Sequence, residues 1–183
     1  TLTELLDDVL GLQERQIQTS HIRLRKRYFT PGMVHGFPVE LRQVFLNLVG
    51  NALQAMPKGG DLRISVREAF DWQLKRRGIS VSIVDTGVGV NPQDSGKLFE
   101  PFFSTKSTKG TGLGLWISRG IVQKYEGRIS FRSFRGENGC STCFRVFLPS
   151  SASFNLIGHS VGELASPGLE AISDDYSAKM QHA

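Results

Sequence analysis

Two asparagines stand four residues apart, Asn47 and Asn51, in the run NLVGNALQAM (47–56). Side chains at that spacing share one face of a helix, and Glu40, Gln43 and Gln54 extend the same polar stripe. Asn is an indifferent helix former and a buried amide needs partners. One reading has both asparagines capping neighbouring loops, and the spacing alone leaves the alternative open. A second group follows the apolar run ISVSIVD (79–85), where Asp85 opens DTGVGV (85–90). A carboxylate at the mouth of a buried strand, with glycines at 87 and 89, can accept from the exocyclic amine of a flat ligand that the backbone approaches closely. The alternative is a tight turn whose Asp satisfies nearby N–H groups. A third group is KGTGLGLWIS (109–118), with Gly110, Gly112 and Gly114 leading into a helix. Backbone N–H groups at a helix start form an anion site, so this reads as a phosphate cradle, although it is neither a P-loop nor a dinucleotide fingerprint.

These groups need elements to position them. Leu41, Val44, Phe45, Leu48, Val49, Ala52, Leu53 and Met56 recur at helical spacing and predict a helix over 38–56. Residues 1–16 read as one amphipathic helix with Leu2, Leu5, Leu6, Val9, Leu10 and Leu12 on one side, and 113–125 as another. Alternation predicts strands at 21–29, 61–68 and 79–85, and a closing hairpin of 128–134 with 141–148; residues 91–109 read as irregular. About five strands and three main helices predict an α+β fold, a two-layer α/β sandwich with the helices on one face of a mixed sheet. Periodicity is lost beyond Pro149. The reading is one domain over 1–149 and a tail over 150–183.

With 183 residues, 39% of them hydrophobic and 21% charged, the chain supports one sizeable core. No run reaches ~18 apolar residues and the start lacks the layout of a secretory signal, so the piece is expected to make no membrane contact. It begins without Met and reads as part of something longer. Two cysteines give no disulfide framework and suit a reducing cytosol. The first 150 residues carry 21 basic and 13 acidic side chains, against one Lys and four acids in 151–183. RLRKRY (23–28) and KRR (75–77) lack the interleaved aromatics of a nucleic-acid groove, whereas a polyphosphate suits the charge. CSTC (140–143) has metal-site spacing but no second pair, and GHSVGELA (158–165) has the G-x-S-x-G pattern without the large α/β domain that a nucleophile elbow needs.

Taken in order, NLVGNA, DTGVGV, LFEPFFSTK and GTGLGL closely resemble the catalytic, ATP-binding domain of bacterial sensor histidine kinases, of the superfamily shared with DNA gyrase, Hsp90 and MutL. The likeness spans about 1–149, including FRVFLP; NALQAMPKGG and FFSTKSTKGTGLGL are most similar to the nitrogen-regulation type. The resemblance implies the Bergerat ATP-binding fold and a set of roles. Asn51 and Asn47 would hold Mg²⁺ against the nucleotide phosphates. Asp85 would accept from the adenine amine, Gly87 and Gly89 would let the base pack closely, and Thr142 matches the hydroxyl beside that Asp. Residues 91–111 would be the ATP lid, fastened by Phe99, Phe102 and Phe103, with Lys106 or Lys109 reaching a phosphate. Gly112, Leu113 and Gly114 would donate backbone N–H groups, and Thr111 and Leu115 complete the ATP-contacting set.

Superfamily members that hydrolyse ATP carry Glu where this chain has Asn47, and an amide cannot take a proton from water. The resemblance therefore implies transfer of the terminal phosphoryl to a histidine on a dimerisation domain of the same parent kinase, and indirectly to a response regulator. Glu40 is the weaker candidate base, a solvated surface residue on the other reading. None of His21, His35, His159 and His182 is followed by an acidic residue, as the acceptor should be. The usual G-D before the first motif is altered to GFPVE (36–40), which touches no ligand position. The expected location is the cytoplasm, with a parent that a membrane anchor could hold. A Ser/Thr kinase of the same superfamily and a non-catalytic nucleotide-gated module are the competing functions.

Overall fold

The computed structural model describes residues 1–104, 110–136 and 139–150. Helix α1 spans Leu2–Leu12 and begins at a capping box in which Thr1 and Glu4 satisfy each other's backbone N–H groups. Leu2, Leu5, Leu6, Val9 and Leu10 are buried. Leu12 is 68% exposed, because the helix stops there. Gln13 leaves helical geometry (φ −100°, ψ 1°), and a separate α2, Glu14–Thr19, buries Ile17. The single helix expected over 1–16 is therefore two, and the chain has four α-helices among the described residues.

β1 (Ile22–Tyr28) is followed by α3 (Pro38–Ala55), which starts with proline in its first turn, where no intrahelical N–H is lost. β2 (Gly60–Asp71) and β3 (Arg76–Asp85) form a hairpin longer than the sequence alternation suggests. Its outer part, paired as far as Asp71 with Arg76, extends past the core, so no apolar period marks it. α4 (Gly114–Lys124), β4 (Arg128–Gly136) and β5 (Gly139–Pro149) complete the chain. Within the stretch expected to be irregular, Pro92–Lys97 forms a short 3-10 turn capped by the Asn91 side chain.

The strand order is β1-β2-β3-β5-β4, with β1 parallel to β2 and the other pairs antiparallel. Alternate residues of the three central strands, Leu62, Ile64, Val66, Ile79, Val81, Ile83, Phe144, Val146 and Leu148, join Val44, Phe45, Leu48 and Val49 of α3 in one core. The mixed five-stranded sheet with helices on one face is the α+β sandwich that the alternation predicts.

Asp71, 5% exposed, holds the far end of the sheet. One oxygen accepts from the N–H groups of Gln73 and Leu74, and the other from Arg128 Nε and Nη2 at 2.9 and 2.6 Å. Burial pushes this carboxyl up, but the Leu74 N–H, the Arg128 guanidinium and the Gln73 N–H outweigh it and hold it below its ordinary value. Replacing Asp71 by Asn should cost about 2 kcal/mol in denaturant unfolding near neutral pH. Because a depressed pKa contributes stability that is full above the unfolded value and lost as pH falls through the folded one, the difference between parent and variant should shrink as pH falls through and below the carboxylate range.

Candidate nucleotide site

A cavity of about 480 Å³ lies where the C-terminal half of α3, the end of β3 and the start of α4 meet, a size suited to a small-molecule ligand. At the end of β3, Asp85 is 2% exposed, with Oδ1 accepting from the Gly87 N–H at 2.9 Å. It lies opposite Thr142, 3% exposed, in the β3–β5 ladder. Burial raises the Asp85 carboxyl to about 6, against the smaller opposing effect of the Gly87 N–H.

The loop after Asp85 is stitched to its neighbours. Thr86 Oγ1 accepts from the Asp61 N–H at 2.9 Å, and the Val88 N–H bonds to the carbonyl of Ala55 at 3.0 Å. A Cβ on Gly87 would fall 2.5 Å from that same carbonyl oxygen. Gly87 therefore lets the loop close on the end of α3 and does not line the cavity, whereas Gly89, at φ +74°, does line it. The Val90 N–H, held by Ser133 Oγ at 2.9 Å, fixes the loop's exit.

Only part of the α3 polar stripe faces this cavity. Asn47, Asn51 and Gln54 line it; Gln43 is exposed and outside it. Glu40 accepts from Lys124 Nζ at 2.7 Å and from the Tyr125 hydroxyl, tying the start of α3 to the end of α4. It is neither a base poised at the cavity nor a merely solvated residue. Asn47 donates from Nδ2 to Ser118 Oγ at 3.1 Å, and a Cβ on Gly114 would fall 2.4 Å from Asn47 Oδ1. Glycine at 114 thus lets α3 and α4 close over this amide.

α4 begins at Leu113 with no side-chain cap, so the first-turn N–H groups, around the cavity-lining Gly112 and Gly114, are left for a ligand. Thr111 and Leu115 line the cavity as well, while Leu113 does not; the Leu113 N–H approaches Thr111 Oγ1 at 3.5 Å. Gly112, at φ +68°, lies against the backbone of Phe102, where a Cβ would be 2.3 Å from the carbonyl carbon. Phe102 itself has φ +64° and is 77% exposed, so its backbone and not its ring meets the body. Phe99 does pack inward, against Phe131 at a centroid distance of 6.1 Å, and Phe103 lines the cavity. Lys106 and Lys109 lie outside the described residues. Ser118 and the cavity-lining Phe144 were missed by the motif reading, yet each had a signal: Ser118 is one helical turn past Gly114, and Phe144 shares a strand face with Thr142.

The donor set suits a hard cation. Among the described residues no three His, Cys, Asp or Glu side chains converge, but two amide side chains share one face of α3 beside the cradle at the start of α4. Cys140 and Cys143 are free thiols, three residues apart on β5 and hence on opposite faces of the strand.

Residues 36–152 match the family model described as histidine kinase-, DNA gyrase B-, and HSP90-like ATPase. The sensory histidine kinase/phosphatase NtrB of Salmonella typhimurium is 37% identical over 136 residues, 70% of this chain and 37% of NtrB. Sporulation kinase C of Bacillus subtilis is 35% identical over 150 residues, 81% of this chain and 33% of that kinase. The chain thus spans about a third of the length of these curated relatives. The solved catalytic domain of histidine kinase ThkA superposes with a TM-score of 0.67 at 30% identity, over 81% of this chain and 92% of that one. By the matched family and by this structural likeness, the chain belongs to the histidine kinase-, DNA gyrase B- and HSP90-like ATPases, as an ATP-binding catalytic domain of the histidine kinase kind.

Proposed function

We propose that this chain positions ATP for transfer of its terminal phosphoryl group to a histidine on a dimerisation domain of the same parent kinase, from which a response regulator is phosphorylated in turn. The observation that carries the reading is the distribution of acids: Asp85, at the end of β3, is the sole carboxylate among the described cavity-lining residues, and Asn47 and Asn51 stand beside the start of α4. A carboxylate beside Thr142 suits the adenine amine. Amides beside uncapped N–H groups suit phosphates and a cation, and offer no base to activate water. NtrB and the sporulation kinase, both kinases by name, support the same direction.

In this mechanism Asp85 accepts a hydrogen bond from the adenine amine, and Gly89 gives the base close access. The N–H groups at the start of α4 hold phosphate oxygens. Asn51 and Asn47 would hold Mg²⁺, which when bound neutralises phosphate charge and orients the chain of phosphates. The bond formed joins phosphorus to an imidazole nitrogen of the acceptor; the bond broken joins the terminal phosphorus to the bridging oxygen, and ADP leaves. The chain's own contribution is alignment and exclusion of competing nucleophiles. The cytoplasm supplies the ATP, and among the described residues no helix is long and apolar enough to cross a membrane.

Asp85→Asn presents a donor in place of one acceptor oxygen to the adenine amine. It should weaken ATP binding about tenfold and erase preference over GTP in calorimetry; an undiminished preference would remove Asp85 from adenine recognition. Incubated with labelled ATP, the chain alone should stay unlabelled, since none of its four histidines precedes an acid. Adding a helix-hairpin domain that carries an acceptor histidine should give label on that domain that is lost in acid and kept in alkali. Acid-stable label on Ser or Thr would favour the Ser/Thr kinase alternative.

A further inference from the structure

Ser118 has no role in the reading above, yet it is 1% exposed and accepts from Asn47 Nδ2 at 3.1 Å. It stands one turn after Gly114 on α4, where an added Cβ would lie 2.4 Å from Asn47 Oδ1 and 2.5 Å from Nδ2. The amide of Asn47 is therefore received between two positions of one face of α4, bare backbone at 114 and a hydroxyl at 118. An asparagine amide has two ends of nearly equal size and opposite character, a donating nitrogen and an accepting oxygen. Turned the wrong way, it would aim N–H groups at a cation.

We propose that Ser118 is a positioning residue for the divalent ion. By accepting from Nδ2 it commits the nitrogen of Asn47 to α4 and leaves Oδ1 as the end that faces metal and phosphate. This rests on the assignment of Asn47 and Asn51 to Mg²⁺ made above. It also ties α3, which carries both amides, to the N-terminal half of α4, beside the first turn proposed to hold the phosphates, and so adds to the Glu40 contacts with Lys124 and Tyr125 that join the other ends of these helices. The hydroxyl contributes to the metal-dependent part of nucleotide affinity and not to adenine recognition, because Asp85 and Thr142 belong to a different part of the cavity wall.

The test is calorimetry of ATP binding to the full chain, with Mg²⁺ and with chelator, for the parent, Ser118→Ala and Asn51→Ala. In Ser118→Ala the affinity in chelator should stay within about twofold of the parent, while the gain on adding Mg²⁺ should fall about three- to tenfold. The side-chain NH₂ signals of Asn47 in ¹⁵N spectra should be protected from exchange in the parent and lose that protection in Ser118→Ala. A Mg²⁺ gain kept in Ser118→Ala but reduced in Asn51→Ala would overturn the role of Ser118 and leave the metal assignment standing. A gain kept in both would overturn the metal assignment itself. A larger gain in Ser118→Ala, or a smaller one with the Asn47 signals unaltered, would also overturn the proposal.

Discussion

A carboxylate held out of water at the end of the central strand is the constraint on which the site depends. Asp85 is buried by Thr142 across the ladder, by the loop that folds back on α3, and by its place on the middle strand of five. Ionising a carboxyl there is costly, and the N–H groups of Gly87 and of Asp85 itself offset that cost only in part. On the proposed function, an adenine amine would supply what the protein withholds. The sheet order matters for this reason: an edge strand could not enclose its end so fully.

The other end of the cavity is built by bringing two helices close. α3 and α4 are tied at both ends of their contact, by Glu40 with Lys124 and Tyr125 on one side and by Asn47 with Ser118 on the other. Glycine at 114 permits the inner contact, and α4 starts beside it without a side-chain cap because its N-cap residue is Leu113. The amides proposed to hold a metal and the N–H groups proposed to hold phosphate are thereby fixed to one another before any ligand arrives, which is the preorganisation that phosphoryl transfer relies on.

Much of this was legible in the sequence because it obeys short-range rules. The apolar period of 38–56 located α3, and the polar residues that interrupt it located Asn47 and Asn51. The alternation in 61–68 and 79–85 located the central strands, and glycines at alternate positions marked Gly89, Gly112 and Gly114. What was not legible depends on partners distant in sequence. Gly87 looked like an approach for a base, but its small size serves Ala55, 32 residues earlier. Phe102 looked like an anchor, but only its backbone is held, against Gly112. Glu40 looked solvated until Lys124 and Tyr125 were brought to it by the fold. The break at Gln13 comes two residues after Gly11, a local signal that the leucine stripe outweighed, and Leu12, counted on that stripe, is exposed.

The most direct test of a buried acceptor waiting for adenine is the titration of Asp85 itself, followed through its carboxyl ¹³C resonance with and without ATP. Its folded pKa lies above the ordinary 3.8, at about 6, so its protonated form contributes stability that is full below pH 3.8 and lost as pH rises through 6, about 3 kcal/mol in all. A bound amine favours the ionised form instead. The predicted result is a midpoint near 6 in the free chain that moves down when ATP binds, with nucleotide affinity falling as pH drops through 6. A midpoint in the ordinary carboxylate range, or one that ATP leaves unmoved, would contradict the account.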